Sequence, residues 1–327
     1  MKSLATVVSN LSLMPAPTLR AERVRRFVEA GMSDNTQTAY KKAWATFAAF
    51  CEERQYQSLP AAPEAVADYL TLLATVGRKV STIEQAIAAI TWVHRSNNHP
   101  NPRDNAQVRQ VLAGIRRAVG IKPVRKAPVL QRELHAVLDA QGTDLRGIRN
   151  KAVLLVGWMG AFRRSELVAL DVADVRFTES GAAITVQRSK SDQEGEGLIK
   201  HLPYQADESL CAARALRYWM NASEIEQGPL FRAINRWGKV REGYMNGKEV
   251  ARLVKQSCDV AGLDSREFSG HSLRAGFVTA AAENGAQAWQ ICEQTGHKPN
   301  SPVINGYIRS SGRGAKGAVA IALGGKV

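Results

Sequence analysis

Ser269-Gly270-His271-Ser272-Leu273-Arg274-Ala275-Gly276 is the stretch from which the rest of the chain can be read. Residues three apart on a helix share a face, so His271 and Arg274 are expected to aim at one small target. Gly270 permits a tight turn into that helix, and Gly276 lets a second backbone approach closely. A guanidinium offers a bidentate fork to two phosphoryl oxygens, and a neutral imidazole can move a proton near pH 7. A His-x-x-Arg pair also arises in ordinary capped surface helices. The assignment therefore turns on what the rest of the sequence supplies.

A chain of 327 residues with 45% hydrophobic content has room for about two domains with proper cores. Lys and Arg number 44 against 30 Asp and Glu, a formal charge of +14 spread through both halves. Such an excess points first to a polyanion, of which nucleic acid is the commonest. Cys51, Cys211, Cys258 and Cys292 show no Cys-x-x-Cys spacing, which argues against a zinc site or a disulfide framework. The histidines do not sit with carboxylates at ligand spacing, so no metal site is expected. Neither a membrane-spanning run nor a signal pattern stands out, and a cytoplasmic, nucleoid-associated location is the expectation.

Taken in order, residues 1–18 contain Pro15 and Pro17 with little periodicity and read as a mobile arm. Residues 19–119 read as an all-helical domain. Its apolar stripes are Ala39, Ala43, Phe47 and Phe50, then Val66, Tyr69, Leu70 and Leu73, then Ile83, Ile87, Ile90 and Val93, then Val108, Leu112 and Ile115. On its polar faces Lys41, Lys42, Arg78, Lys79, Arg116 and Arg117 are candidates for phosphate contacts, and Thr38 and Gln85 for base edges. Residues 120–128, with two prolines and three cations, read as a linker. Residues 129–327 then form a mixed, mostly helical domain with a small antiparallel sheet. A strongly apolar helix runs from Arg149 to Gly160, followed by Arg163 and, three residues on, Glu166, a carboxylate placed to brace a guanidinium. Strands are expected at Ala182–Arg188 and Gly197–Pro203, with Lys190 in the turn between them. Helices follow at Ala206–Met220 and Lys248–Ala261, the latter presenting Lys248, Arg252 and Lys255 as a candidate groove-binding face. Residues 314–323 are short, apolar and rich in small side chains, a terminal helix that wants a socket.

Together, Arg163-x-x-Glu166, Lys190 on a hairpin, His271-x-x-Arg274, Gly296-His297 and Tyr307 resemble the tyrosine recombinase (phage integrase) family, along nearly the whole chain. In the N-terminal half, residues 63–70 and 81–85 resemble the Cre recombinase branch, as does the apolar C-terminal helix. The resemblance implies that Tyr307 attacks a DNA phosphodiester to give a 3′-phosphotyrosine and a 5′-hydroxyl, conserving bond energy without metal, ATP or other cofactor. It implies that Arg163 and Arg274 clamp the non-bridging oxygens, that Lys190 protonates the leaving oxygen and that His271 assists as base. His297 would hydrogen-bond the phosphate and Glu166 would orient Arg163. It further implies a Holliday junction intermediate, with two domains closing around duplex DNA, inverted-repeat target sites and a homotetramer on two synapsed sites. His297 to Tyr307 is a step of ten, one longer than the family usually shows, and Lys298-Pro299-Asn300-Ser301-Pro302 supplies the extra residue. The rival readings are a type IB topoisomerase, with the same tyrosine chemistry and no site preference, and a non-catalytic sequence-specific DNA-binding protein.

Overall fold

Ser33 opens the first helix of the described residues. Its hydroxyl accepts from the Thr36 N–H at 3.3 Å, satisfying a donor that the first turn leaves without a partner. In this computed structural model, which describes residues 31–120, 126–187, 197–298 and 304, the chain divides into two units, Met1–Val124 and Arg125–Val327. The expected arm 1–18, the terminal helix 314–323 and most of the linker lie outside the described residues.

The first unit is built from α1 (Asp34–Glu53), α2 (Pro63–Thr75), α3 (Val80–Ser96) and α4 (Ala106–Val119). Pro63 starts α2 at a position where a missing N–H costs nothing. The anticipated stripes converge: Phe47, Val66, Leu70, Ile83, Ile87, Ile90 and Val108 are all fully buried in one cluster. His94, also fully buried, belongs to this framework. Its Nε2 accepts from the Ala61 N–H at 2.8 Å, which leaves Nδ1 to donate to the Ile90 carbonyl at 2.8 Å.

The second unit is centred on α6 (Leu145–Met159), whose run Ala152–Val156 is at most 2% exposed. A helix apolar on all sides needs neighbours all round. Around it lie α5 (Gln131–Asp139), the short α7 (Arg164–Val168), α8 (Ala212–Ser223), α9 (Gly247–Val260), α10 (Ser272–Glu283) and α11 (Ala288–Thr295). Residues 126–128, the described end of the expected linker, run along this unit. The Ala127 N–H donates to the Glu267 carbonyl at 2.8 Å, and Val129, two residues on, donates to the Ser272 carbonyl at 2.9 Å and is fully buried.

The sheet has three antiparallel strands in the order β1 (Val175–Thr178), β2 (Gly181–Val186) and β3 (Leu198–Pro203), with Ala182 opposite Leu202 and Val175 opposite Ile184. The fold class is thus as expected, but β1 has no counterpart in the sequence reading. Four residues with only Val175 and Phe177 apolar give too short an alternation to register. Helix α8 begins six residues later than periodicity suggests. Asp207 accepts from the Ser209 N–H at 2.9 Å and holds Glu208–Leu210 in a single 3₁₀ turn. All four cysteines are buried and free, and among the described residues no helix is long and apolar enough to cross a membrane.

Candidate active site

Helix α6 stops at Gly160, and Ala161 then takes φ +45°, a left-handed conformation unusual for a residue with a Cβ. That reversal brings Arg163 to the N-cap of α7. Glu166, three residues on, accepts from the Arg163 backbone N–H at 2.9 Å and from its Nη1 at 2.5 Å. Arginine has no acceptor, so only the carboxylate half of a capping box is made. Arg274 Nη1 lies 3.9 Å from the other oxygen of Glu166. One carboxylate, 3% exposed, therefore stands between two guanidiniums, of which Arg163 is 20% and Arg274 2% exposed.

Arg274 sits in the first turn of α10. It donates through Nη1 to the Ala161 carbonyl at 2.6 Å and through Nη2 to the Thr295 carbonyl at 2.7 Å. His271 does not lie inside the helix, as its spacing from Arg274 suggests, but caps it at φ −88°, ψ −13°. Both glycines of the opening motif are explained by space. A Cβ on Gly276 would fall 1.8 Å from the Val129 carbonyl oxygen, and one on Gly270 would fall 2.3 Å from Cδ of Arg164. Gly270 has no positive φ, and its lack of a side chain makes room for the Arg164 side chain and for the Ala251 backbone, 3.2 Å from where a Cβ would sit.

At the end of α11, Gly296 adopts φ +67° and its N–H closes the helix on Cys292 at 2.7 Å. The reversal turns His297 back toward the arginines, where Arg274 Nη2 is 3.3 Å from the ring and Nδ1 is 2.8 Å from the Thr295 hydroxyl. Desolvation, then Arg274 and Arg163, push the His297 pKa down to about 4. His271 is lowered too, by desolvation first and then by Arg274, Arg163 and Arg164, although its surface is still exposed. Near neutral pH both imidazoles are uncharged, one fit to take a proton and the other to hydrogen-bond without adding charge.

Sequence reasoning passed over Lys200. It is fully buried on β3, with Nζ donating to the Gly160 carbonyl at 2.7 Å and to the Gln294 carbonyl at 2.5 Å and standing 4.8 Å from the Phe162 ring. Burial brings its pKa down to about 7, Glu166 acting against this and Arg274 and Arg163 with it. The available signal was alternation, since Leu198, Lys200 and Leu202 share one face of the strand.

The site thus gathers Arg163, Glu166, His271, Arg274 and His297, two guanidiniums against one carboxylate, a preorganised receptor for an anion, while the Lys200 ammonium is directed at main-chain carbonyls beside it. Lys190 and Tyr307 lie outside the described residues. Thr38, Lys41 and Lys42 on α1, Gln85 on α3, and Lys248, Arg252 and Lys255 on α9 are all exposed. Arg116, by contrast, is engaged within its unit, donating through Nε to Glu84 at 2.8 Å. Among the described residues no group of His, Cys, Asp or Glu is arranged to hold a metal ion.

Residues 129–313, which contain every residue of this cluster, match the phage integrase family. The chain belongs to that family. It is a tyrosine site-specific recombinase by kinship. An integrase/recombinase xerD homolog of Selenomonas ruminantium is 37% identical over 290 residues, covering 88% of this chain and 84% of the relative. The recombinase Cre of Escherichia phage P1 is 25% identical over 337 residues, covering 95% of each. The fold is shared with the Tn1549 transposon integrase in complex with transposon right end DNA, at a TM-score of 0.63 and 15% identity over 93% of this chain and 98% of that one. It is shared as well with a lambda integrase in a tetramer bound to a Holliday junction, at a TM-score of 0.57 and 13% identity over 95% of this chain and 82% of the other.

Proposed function

We propose that this integrase-family protein cuts and rejoins duplex DNA at inverted-repeat sites, with Tyr307 as nucleophile. The Tyr307 oxygen attacks a backbone phosphorus, the bond to the 5′-oxygen breaks, and a 3′-phosphotyrosine and a free 5′-hydroxyl result. His271 accepts the phenolic proton and Lys190 supplies one to the leaving oxygen, so protons balance. Arg163 and Arg274 face the non-bridging oxygens, on which negative charge builds in the transition state, and His297 hydrogen-bonds one of them. The reverse reaction with a 5′-hydroxyl from a second duplex exchanges strands through a Holliday junction, and four protomers on two synapsed sites carry out both rounds. Residues 314–323 would join neighbouring protomers.

The observation that carries this reading is the two-guanidinium, one-carboxylate cluster, with the His297 imidazole against Arg274 and the His271 imidazole within the field of both arginines. It is built to receive a phosphodiester and to stabilise it further as charge develops. Relatives named as a recombinase and an integrase/recombinase, and a neighbour in fold seen as a tetramer on a Holliday junction, support it.

Covalent trapping tests it. The protein is mixed with a pool of duplexes from its genetic neighbourhood, the reaction is stopped with detergent, and protein-linked DNA is sought. A site-selective adduct that disappears in Tyr307→Phe, while binding persists, is the expected result. An adduct on every duplex would replace this reading with a topoisomerase, and no adduct on any duplex that binds would leave a DNA-binding protein. Truncation after Gly312 should abolish synapsis in a gel-shift assay, and normal assembly of the truncated chain would sink the role given to the tail.

A further inference from the structure

Helices α6 and α11 end side by side, and their last carbonyls have no helical partners. Each end also carries the negative pole of its helix, which favours a cation. Side chains from three elements fill the gap in register. Met159 accepts from Gln294 Nε2 at 2.8 Å, Gly160 from Lys200 Nζ at 2.7 Å, and Ala161 from Arg274 Nη1 at 2.6 Å. On the opposite end Gln294 accepts from Lys200 at 2.5 Å and Thr295 from Arg274 at 2.7 Å. Lys200 and Arg274 thus bridge the same two helix ends, one residue apart. The chain beyond each end carries a residue of the phosphate site, Arg163 two residues past Ala161 and His297 two past Thr295.

We propose that Lys200 is a positioning residue for strand cleavage, which ties the end of α6 to the end of α11 and so fixes Arg163 relative to His297. Its side chain is fully buried and its ammonium is directed at main-chain oxygens. It therefore acts through its neighbours and does not deliver a proton to DNA, the task assigned above to Lys190. Arg274, by contrast, both bridges the helix ends and is assigned to the phosphate. The inference rests on the recombinase reading for its catalytic consequence, but the bridge itself exists without DNA.

The test uses the full chain, with Lys200→Met and Lys200→Arg, on the duplex recovered by trapping. In Lys200→Met, duplex affinity should stay within about threefold of wild type while the single-turnover rate of adduct formation falls on the order of 10- to 100-fold, the scale expected when reacting groups are misplaced by about 1 Å. Amide hydrogen exchange should quicken in residues 160–163 and 294–297 and stay unchanged in α1–α4. Lys200→Arg, which keeps the donors, should recover part of both the rate and the protection. Wild-type adduct rate and protection in Lys200→Met would overturn the proposal. If Lys200→Met does not fold, Lys200→Arg decides: restored protection with a rate within tenfold of wild type supports the bridge, and a full rate without protection refutes it. Failure of both variants to fold would make Lys200 a requirement of the whole core and not of the site. Should wild type form no adduct with any duplex, the recombinase reading fails, and exchange alone still judges the bridge.

Discussion

Glu166 holds two guanidiniums at once, and its removal exposes what their proximity costs. Replacing it by Ala leaves Arg163 and Arg274 facing each other in a site that is nearly closed to solvent. Breaking a buried pair in this way typically costs about 3–5 kcal/mol. Glu166→Gln retains an acceptor for the Arg163 N–H and should cost less, about 1–3 kcal/mol. Urea unfolding of the two variants measures both, and equal, small losses would mean that the carboxylate does not carry the pair. His297 gives a prediction in pH. Its folded pKa, about 4, lies below the ordinary imidazole value of 6.5, so folding favours the neutral ring. The unfolded chain then binds more protons, and stability is full above about pH 6.5 and is lost as pH falls toward 4. Wild type should therefore lose more stability over that window than His297→Phe, in unfolding midpoints taken across the pH range. An NMR titration placing the His297 pKa near 6.5 would refute the argument. Arg163, Glu166, Arg274 and His297 were legible because each stands at a recognisable offset from a neighbour. Lys200 was marked only by alternation with Leu198 and Leu202, which says which face it takes but not that its partners are carbonyls 40 and 94 residues away.

At the scale of the element, α10 depends on the absence of a side chain. Beside Gly276 the Val129 carbonyl already accepts from Trp158 Nε1 at 2.7 Å. A methyl group there would meet both that oxygen and the indole nitrogen, at 1.8 and 2.8 Å. Gly276→Ala should therefore destabilise the second unit by about 1–3 kcal/mol, read as a lowered Tm, because backbone has to move to admit it. An unchanged Tm would show that α10 can slide. Long elements were readable from their stripes: α1–α4 and α9 appear where apolar residues recur every three or four positions. Short ones were not. β1 has four residues and takes its place by pairing with β2, and the start of α8 is set by the Asp207 turn against its own apolar period.

For the molecule as a whole, the +14 charge sets how binding responds to salt. Each phosphate neutralised contributes roughly 0.9 to the slope of log affinity against log salt on duplex DNA. If the exposed face of α9 contacts phosphates through Lys248, Arg252 and Lys255, changing all three to Ala should flatten that slope by roughly 2–3. A slope equal to wild type, measured by fluorescence anisotropy from low to moderate salt, would remove α9 from the DNA-binding surface. Local sequence could name these residues because a helix with one buried face must show its other face to solvent.

What the sequence determined by itself is whatever depends on neighbours along the chain. The helical stripes and the carboxylate three residues from an arginine rest on residues close together along the chain. The tertiary structure alone decided that α6 and α11 end together and that Arg274 and Lys200 bridge their carbonyls. It also decided that a single carboxylate serves two guanidiniums 111 residues apart in sequence. Those contacts join segments whose spacing along the chain carries no period, so only the packed core can bring them into register.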